Sequence, residues 1–147
     1  MADLPPTLIA LQACIRDGRV GVAAALAAQV ARLPGLAAAT HCVAEPLPVA
    51  IEAIASGPLA GVALAHKDIF MLSGRVPGCG AGRGHTDASS RAADVIDKLA
   101  RAGAAQLATL MMAPHACGST AENPYFSERV VNPLAATAAV GGSSSGS

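Results

Sequence analysis

The stretch Gly61-Val-Ala-Leu-Ala-His-Lys67-Asp-Ile-Phe70 decides the fold of this chain of 147 residues. Residues 62–66 form a short, largely apolar run after a glycine, which is typical of a buried strand in a parallel sheet. Lys67 then lies where the strand ends. Because ligands bind outside the carboxyl ends of the strands in open α/β sheets, Lys67 is the first candidate for a functional residue.

The residues that follow this strand predict a crossover to a second, parallel strand. Residues 73–84 are rich in glycine and predict an irregular loop. A helix is predicted next, with Asp87 as its N-cap, Gly103 at its end and an apolar face made of Ala92, Val95, Ile96 and Leu99. Residues 104–110 are the second predicted strand. Strand, loop, helix and strand form a βαβ unit, which favours an α/β fold with a parallel or mixed sheet.

The N-terminal third of the chain predicts mainly helices. Leu8, Leu11 and Ile15 recur at helical spacing and predict a helix over residues 7–17, with Gly18 at its C-terminal cap. A nearly continuous run of Ala, Val and Leu predicts a second helix over residues 20–33 that ends before Pro34. A helix this apolar is expected to be packed against other parts of the protein on most of its sides. A brief strand over residues 36–43 and a third helix over residues 48–56 are also predicted.

Residues 113–147 are dominated by residues that form turns, and they predict a long loop region with little regular structure. A loop of this length within a compact domain is usually functional.

Composition excludes several classes of protein. The chain is 52% apolar and carries 10 basic and 10 acidic residues, which indicates a globular protein without a charge-driven nucleic-acid or membrane partner. Its four cysteines fit neither a zinc site nor a disulfide framework, so we expect free thiols, no metal and no cofactor. The chain has neither a secretory leader pattern nor 18 uninterrupted apolar residues, and we expect a cytoplasmic protein.

The segment Gly141-Gly-Ser143-Ser-Ser-Gly-Ser147 has two interpretations when it is taken alone. Its composition is that of a flexible linker. It also resembles a phosphate-binding loop, but the lysine that should follow such a loop is missing. By residue type alone, Lys67 would be a surface lysine paired with Asp68, and His66 would be a structural histidine beside an apolar run.

Five blocks in order along the chain resemble the amidase signature family. They are Gly61-Val-Ala-Leu-Ala-His-Lys-Asp-Ile-Phe70, Ala100-Arg-Ala-Gly-Ala104, Gly118-Ser-Thr-Ala-Glu-Asn-Pro124, Asn132-Pro133 and Gly141-Gly-Ser-Ser-Ser-Gly-Ser147. The resemblance implies an α/β/α fold whose mixed, partly parallel sheet is flanked by helices. It makes residues 1–147 a single incomplete amidase domain, with N-terminal helices in residues 1–57 and the start of the core in residues 58–147.

The resemblance also implies the site and its reaction. Family members hydrolyse a carboxamide to an acid and ammonia or amine through an acyl-enzyme, using a lysine, a serine that follows a cis peptide bond, and a nucleophilic serine. Lys67 matches the lysine and Ser143 the cis-serine. We expect Ser144, Ser145, Gly118 and Ser119 to bind substrate. The family's nucleophile lies in an Asp-x-Gly-Gly-Ser motif that residues 1–147 do not contain, so we expect this chain alone to be inactive.

This residue set has a physical rationale. An unperturbed lysine has a pKa near 10.4, so it serves as a base only where burial or positive charge lowers that value. A serine hydroxyl accepts and donates at once, so Ser143 could pass a proton between lysine and nucleophile.

The sequence leaves alternatives open. The chain could be a non-catalytic truncated fragment, a partner-dependent binding module, or the amidase-type subunit of a glutamine-type amidotransferase. The expected ligand is a small-molecule amide, and both a homodimer and an amidotransferase complex are compatible with the motifs. The chain departs from the family pattern at Pro114, where relatives often carry an acidic residue, and at Leu134, where they carry an aromatic one. Both changes leave the identity of the amide open.

Overall fold

A computed structural model describes residues 4–51, 56–82 and 87–147. Within these ranges the regular elements, in chain order, are α1 (Leu8–Arg16), α2 (Val22–Thr40), β1 (Val43–Pro46), β2 (Ala63–Lys67), α3 (Asp94–Arg101) and β3 (Ala105–Leu110). A single 3₁₀ turn, Pro114–Ala116, follows β3.

The three strands form a mixed sheet in which β3 is central. β2 pairs with β3 in parallel, with Lys67 opposite Leu110. β1 pairs with the other edge of β3 in antiparallel orientation, with Val43 also opposite Leu110. α3 lies in the connection between the parallel strands. The predicted βαβ unit and the α/β class with a mixed, partly parallel sheet are therefore confirmed, and the carboxyl ends of β2 and β3 meet at one edge of the sheet.

The first helix forms where its periodicity predicts it. The Thr7 hydroxyl accepts a hydrogen bond from the Ala10 N–H at 3.2 Å and caps the N-terminus. Gly18 follows the helix with φ +71°, the left-handed conformation expected there. Leu11 packs with Leu4, Ala25 and Ala28 in a cluster between α1 and α2.

The second helix is longer than predicted. α2 continues through Pro34 to Thr40, so the predicted end before Pro34 and the predicted strand over residues 36–43 are wrong, and β1 starts only at Val43. Pro34 is exposed, and regular bonding resumes after it, with the His41 N–H donating to the Ala37 oxygen at 2.8 Å. The Val131 N–H also donates to the Thr40 oxygen at 2.8 Å. Tertiary contacts therefore hold the last turn against the local signal of the proline.

The apolar character of α2 is pronounced. By length and mean hydropathy alone, α2 is long and apolar enough to cross a membrane, a test that the core helices of soluble proteins also pass. Ala25 and Leu26 are fully buried within the described residues, whereas Leu36 is 53% exposed. Much of the apolar surface of α2 is therefore not packed against other described residues, although its sequence predicts that it should be buried.

The third helix begins later than predicted. α3 starts at Asp94 with Ala93 as its N-cap residue, so Asp87 is not the N-cap. Residues between 87 and 93 instead bond to the loop after β2. The Ala93 N–H donates to the Met71 oxygen at 2.9 Å, and the Ser89 N–H donates to the Arg75 oxygen at 3.1 Å. Of the predicted apolar face, only Ile96 is buried.

Two other predictions touch residues that the structure does not describe. The third predicted helix, over residues 48–56, includes residues 52–55, which lie outside the described ranges. The predicted loop over residues 73–84 is confirmed for residues 73–82, which contain neither helix nor strand.

The C-terminal segment is a packed loop. As predicted, residues 113–147 contain little regular structure beyond the 3₁₀ turn and one isolated bridge between Thr120 and Gly141. Ala121 and Val130 are nevertheless buried, in a cluster with Cys42 and Met111 at the end of the sheet. The loop therefore covers the sheet edge at which β3 ends.

Candidate active site

Lys67 and Ser143 lie in contact although 76 residues separate them in the sequence. Lys67 is the last residue of β2, as predicted. Its Nζ donates a hydrogen bond to the Ser143 Oγ at 2.6 Å in a partly buried position. The structure thus brings together the two residues predicted to be base and relay.

Main-chain hydrogen bonds hold the serine segment against the extension of the central strand. The Ala113 N–H donates to the Ser143 oxygen at 2.9 Å, and the Gly146 N–H donates to the Met111 oxygen at 2.8 Å. Residues 111–113 follow β3 directly. Because β2 and β3 are parallel, this pairing places Ser143 beside the end of β2.

Gly142 and Gly146 of this segment are required by the close approach of neighbouring backbone. A Cβ on Gly142 would lie 2.7 Å from the Gly118 oxygen and 2.9 Å from the Thr120 oxygen. A Cβ on Gly146 would lie 2.5 Å from the Cys42 oxygen. Such distances are shorter than real Cβ contacts. The segment is therefore closely packed, which a flexible linker is not. The Gly142–Ser143 peptide bond is cis.

The other residues predicted to bind substrate differ in their exposure. Gly118 and Ser119 are exposed and lie near Gly142, because residues 118–120 run beside residues 141–142. Ser144 is exposed as well, whereas Ser145 is only 3% exposed. Substrate binding by Gly118, Ser119, Ser144 and Ser145 stays a prediction.

Asp68 has partners other than Lys67. Asp68 is 8% exposed, and the backbone of Gly78 and Gly80 lies close to its carboxylate. Burial raises the pKa of the Asp68 carboxyl above its ordinary value, against the opposing effects of the Thr109 side chain and of the Gly80 and Gly78 backbone. A surface ion pair between Lys67 and Asp68 is therefore not the arrangement found.

His66 has the surroundings of a structural residue. It is 8% exposed, and its Nδ1 lies 3.0 Å from the Gln106 Oε1. Burial lowers the pKa of the His66 imidazole, which favours the neutral ring. Among the described residues, the four cysteines are free and no group of His, Cys, Asp and Glu side chains could hold a metal ion.

Sequence reasoning did not assign a role to Asn123. Its Nδ2 donates to the Gly80 oxygen at 2.6 Å and to the Met112 oxygen at 2.8 Å. Gly80 lies in the glycine-rich loop after β2 and Met112 follows β3, so Asn123 joins this loop to the segment that follows the central strand. Its position within the block Gly118–Pro124 was the only signal in the sequence.

Comparison with known proteins identifies relatives of this chain. The family model described as Amidase matches residues 21–147. A glutamyl-tRNA(Gln) amidotransferase subunit from Alkalilimnicola ehrlichii is 34% identical over 96% of this chain and 31% of its own length. The corresponding protein from Halorhodospira halophila is 42% identical over 63% of this chain and 19% of its own length. The chain thus spans about a third or less of the relatives that it matches.

Solved structures show the same fold. A crystal structure of an amidase superposes on this chain with a TM-score of 0.76 and 26% identity. The match covers 95% of this chain and 34% of the amidase chain. The structure of 6-aminohexanoate cyclic dimer hydrolase superposes with a TM-score of 0.85 and 24% identity. This match covers 100% of this chain and 32% of the hydrolase chain. At that identity the second likeness concerns the fold alone. With the family model matching most of its length, this chain belongs to the amidase family.

Proposed function

We propose that this chain supplies the general base and the proton relay of an enzyme that hydrolyses a carboxamide to a carboxylic acid and ammonia or amine. The observation that carries the proposal is the 2.6 Å hydrogen bond between the Lys67 Nζ and the Ser143 Oγ. Membership of the amidase family supports the reaction class.

In the proposed mechanism, Lys67 is the final acceptor of the proton from the nucleophile. As a nucleophilic serine attacks the amide carbon, its proton passes to the Ser143 Oγ while the Ser143 proton passes to the Lys67 Nζ. The protons return along the same path to the departing nitrogen, which leaves as ammonia or amine, and an acyl-enzyme remains. Water activated by the same pair then releases the acid.

The nucleophile in this scheme lies outside residues 1–147. No Asp-x-Gly-Gly-Ser motif occurs in them, and the relative from Alkalilimnicola ehrlichii is about three times as long as the region that matches this chain. We therefore expect residues 1–147 alone to give no turnover. Reading the coding sequence beyond Ser147 tests this point. A motif of that type within the next few dozen residues supports the proposal, and a stop codon supports the alternative of a non-catalytic or partner-dependent protein.

A second candidate function is a role within an amidotransferase complex. The relative from Alkalilimnicola ehrlichii is a glutamyl-tRNA(Gln) amidotransferase subunit that matches 96% of this chain. If this chain shares that role, it acts on the amide of glutamine in a complex with partner proteins. Copurification of partner proteins, and ammonia release that depends on them, would distinguish this role from that of a free-standing amidase or homodimer. Cytoplasmic location stays a prediction under either role.

The catalytic test uses the two lysines of the chain as a matched pair. In the gene product as encoded, we expect Lys67→Ala to lower kcat about 10²- to 10⁴-fold, because the general base is lost. Ser143→Ala should lower kcat over a similar range, because the relay is lost. Ammonia release from a panel of small amides, including glutamine, is the measurement.

Lys98→Ala is the control. Lys98 is exposed in the last turn of α3, so its removal should leave kcat within about twofold of the parent value. Turnover that survives Lys67→Ala undiminished would contradict the proposed role of Lys67.

A further inference from the structure

Asn123 joins the loops that follow the two parallel strands. Its Nδ2 donates to the Gly80 oxygen at 2.6 Å and to the Met112 oxygen at 2.8 Å, and its Oδ1 accepts from the Tyr125 N–H at 2.9 Å. All three partners are main-chain groups. Because two carbonyls face one end of the amide and an N–H faces the other, only one orientation of the side chain satisfies them.

Each carbonyl that Asn123 binds belongs to a residue whose neighbour in the chain is hydrogen-bonded close to the proposed catalytic pair. Met112 precedes Ala113, whose N–H donates to the Ser143 oxygen at 2.9 Å. On the other side, Gly80 follows Cys79, whose N–H donates at 3.0 Å to the main-chain oxygen of Asp68, the residue next to Lys67. The two loops approach so closely that a Cβ on Gly80 would lie 2.7 Å from the Met112 oxygen.

We propose that Asn123 is a positioning residue, which fixes residues 112–113 against the glycine-rich loop and so sets the distance between Ser143 and Lys67. This inference rests on the proposed function. Without the Asn123 donor, two carbonyl oxygens in this crowded region lose a partner. The backbone that holds Ser143 is then free to shift.

The other asparagine of the chain provides a matched control. The Asn132 Oδ1 accepts from the Leu134 N–H at 2.9 Å and from the Ala135 N–H at 3.3 Å. These bonds close a local turn and need only an acceptor. Aspartate keeps the acceptor but removes the amide donor. Asn132→Asp therefore preserves its contacts, whereas Asn123→Asp places a carboxylate oxygen against two carbonyls.

The experiment compares Asn123→Asp with Asn132→Asp in the gene product as encoded. Hydrogen exchange, read by mass spectrometry at single residues, should show at least about tenfold faster exchange of the Ala113 amide in Asn123→Asp. The Ala105 amide, which donates to the Val62 oxygen at 2.9 Å inside the sheet, should keep its parent rate. Asn132→Asp should change neither rate.

Kinetics supply the second readout. Because a displaced relay affects the chemical step, Asn123→Asp should lower kcat about 10- to 100-fold and leave KM within about threefold. The kcat of Asn123→Ser, which keeps one small donor, should lie between those of the parent and Asn123→Asp. This variant replaces Asn123→Asp in the experiment if the aspartate variant does not fold. Equal acceleration of exchange at Ala113 and Ala105, or an unchanged Ala113 rate and kcat, would overturn the proposal.

The outcomes separate this inference from the proposed function. If Lys67→Ala retains turnover, the catalytic proposal fails. Local loss of protection at Ala113 in Asn123→Asp would still support the positioning of residues 112–113. If Lys67→Ala abolishes turnover while Asn123→Asp leaves kcat unchanged, only the positioning role fails.

Discussion

At the scale of single residues, backbone clearance determines the geometry of the serine segment. Ser143 is held by its main-chain oxygen and by its hydroxyl, which contact Ala113 and Lys67 respectively. The glycines on either side of residues 143–145 allow the chain to lie directly against neighbouring backbone. Side-chain chemistry and backbone fit are therefore both needed to bring this hydroxyl to Lys67.

Gly146→Ala tests the backbone fit. The added Cβ would lie 2.5 Å from the Cys42 oxygen and 2.7 Å from the Met111 nitrogen, and neither main-chain atom can rotate away. We expect the free energy of unfolding to fall by about 1–3 kcal/mol, the usual cost of overpacking. Urea unfolding followed by circular dichroism is the measurement.

Gly35→Ala is the matched control for this change. Gly35 lies inside α2, and nothing lies within 4 Å of a Cβ placed on it. Alanine should therefore raise the free energy of unfolding by about 0.5–1 kcal/mol, because it favours the helix and restricts the unfolded chain. Similar effects of the two substitutions would contradict the argument from close approach.

At the scale of elements, the unit that positions the site is β2, its glycine-rich loop, α3 and β3. The run over residues 62–66 and the run over residues 104–110 predict both strands to within one residue at each end. α3 was predicted less well, since pairing of residues 87–93 with the loop after β2 replaces the first turns of the predicted helix. Local periodicity carries no information about such a partner.

The pH dependence of stability should report the burial of Asp68 in this unit. Folding raises the pKa of this carboxyl above 3.8, so the folded protein retains a proton that the unfolded chain has already released. Stability therefore falls as pH rises from 3.8 to the raised pKa, and it levels off above that value. Asp68→Asn removes this titration.

The measurement is the free energy of unfolding of the parent minus that of Asp68→Asn, by urea unfolding at several pH values. We expect the difference to fall as pH rises from about 3 through the acidic range. Asp94→Asn, in which the replaced side chain is 82% exposed, controls for loss of a charge. A difference that grows with pH would show that folding lowers the pKa of Asp68 instead.

At the scale of the whole molecule, much apolar surface is left uncovered by the described residues. Leu134 is 95% exposed, Ile9 is 81% exposed and Leu36 is 53% exposed. In the described sheet β1 and β2 are edge strands, because β3 lies between them. Surfaces and edges of this kind favour association.

Residues 1–147, expressed alone, should therefore self-associate. We expect sedimentation velocity at micromolar concentration to show species larger than the 14.4 kDa monomer, in proportions that rise with concentration. Leu134→Lys should reduce this association, because it replaces the most exposed large apolar side chain among the described residues with a charged one. A chain that stays monomeric throughout the concentration series would contradict the expectation.

The sequence by itself determined the elements whose signals are local. Apolar runs bounded by glycine predict β2 and β3, helical spacing predicts α1, and residue order places Lys67 at the end of a strand. The tertiary structure alone decided the contact of Lys67 with Ser143, the course of α2 through Pro34 and the hydrogen bonds of Asn123. Each of these depends on partners distant in the sequence, and such long-range hydrogen bonds and close packing override the local preferences of the chain.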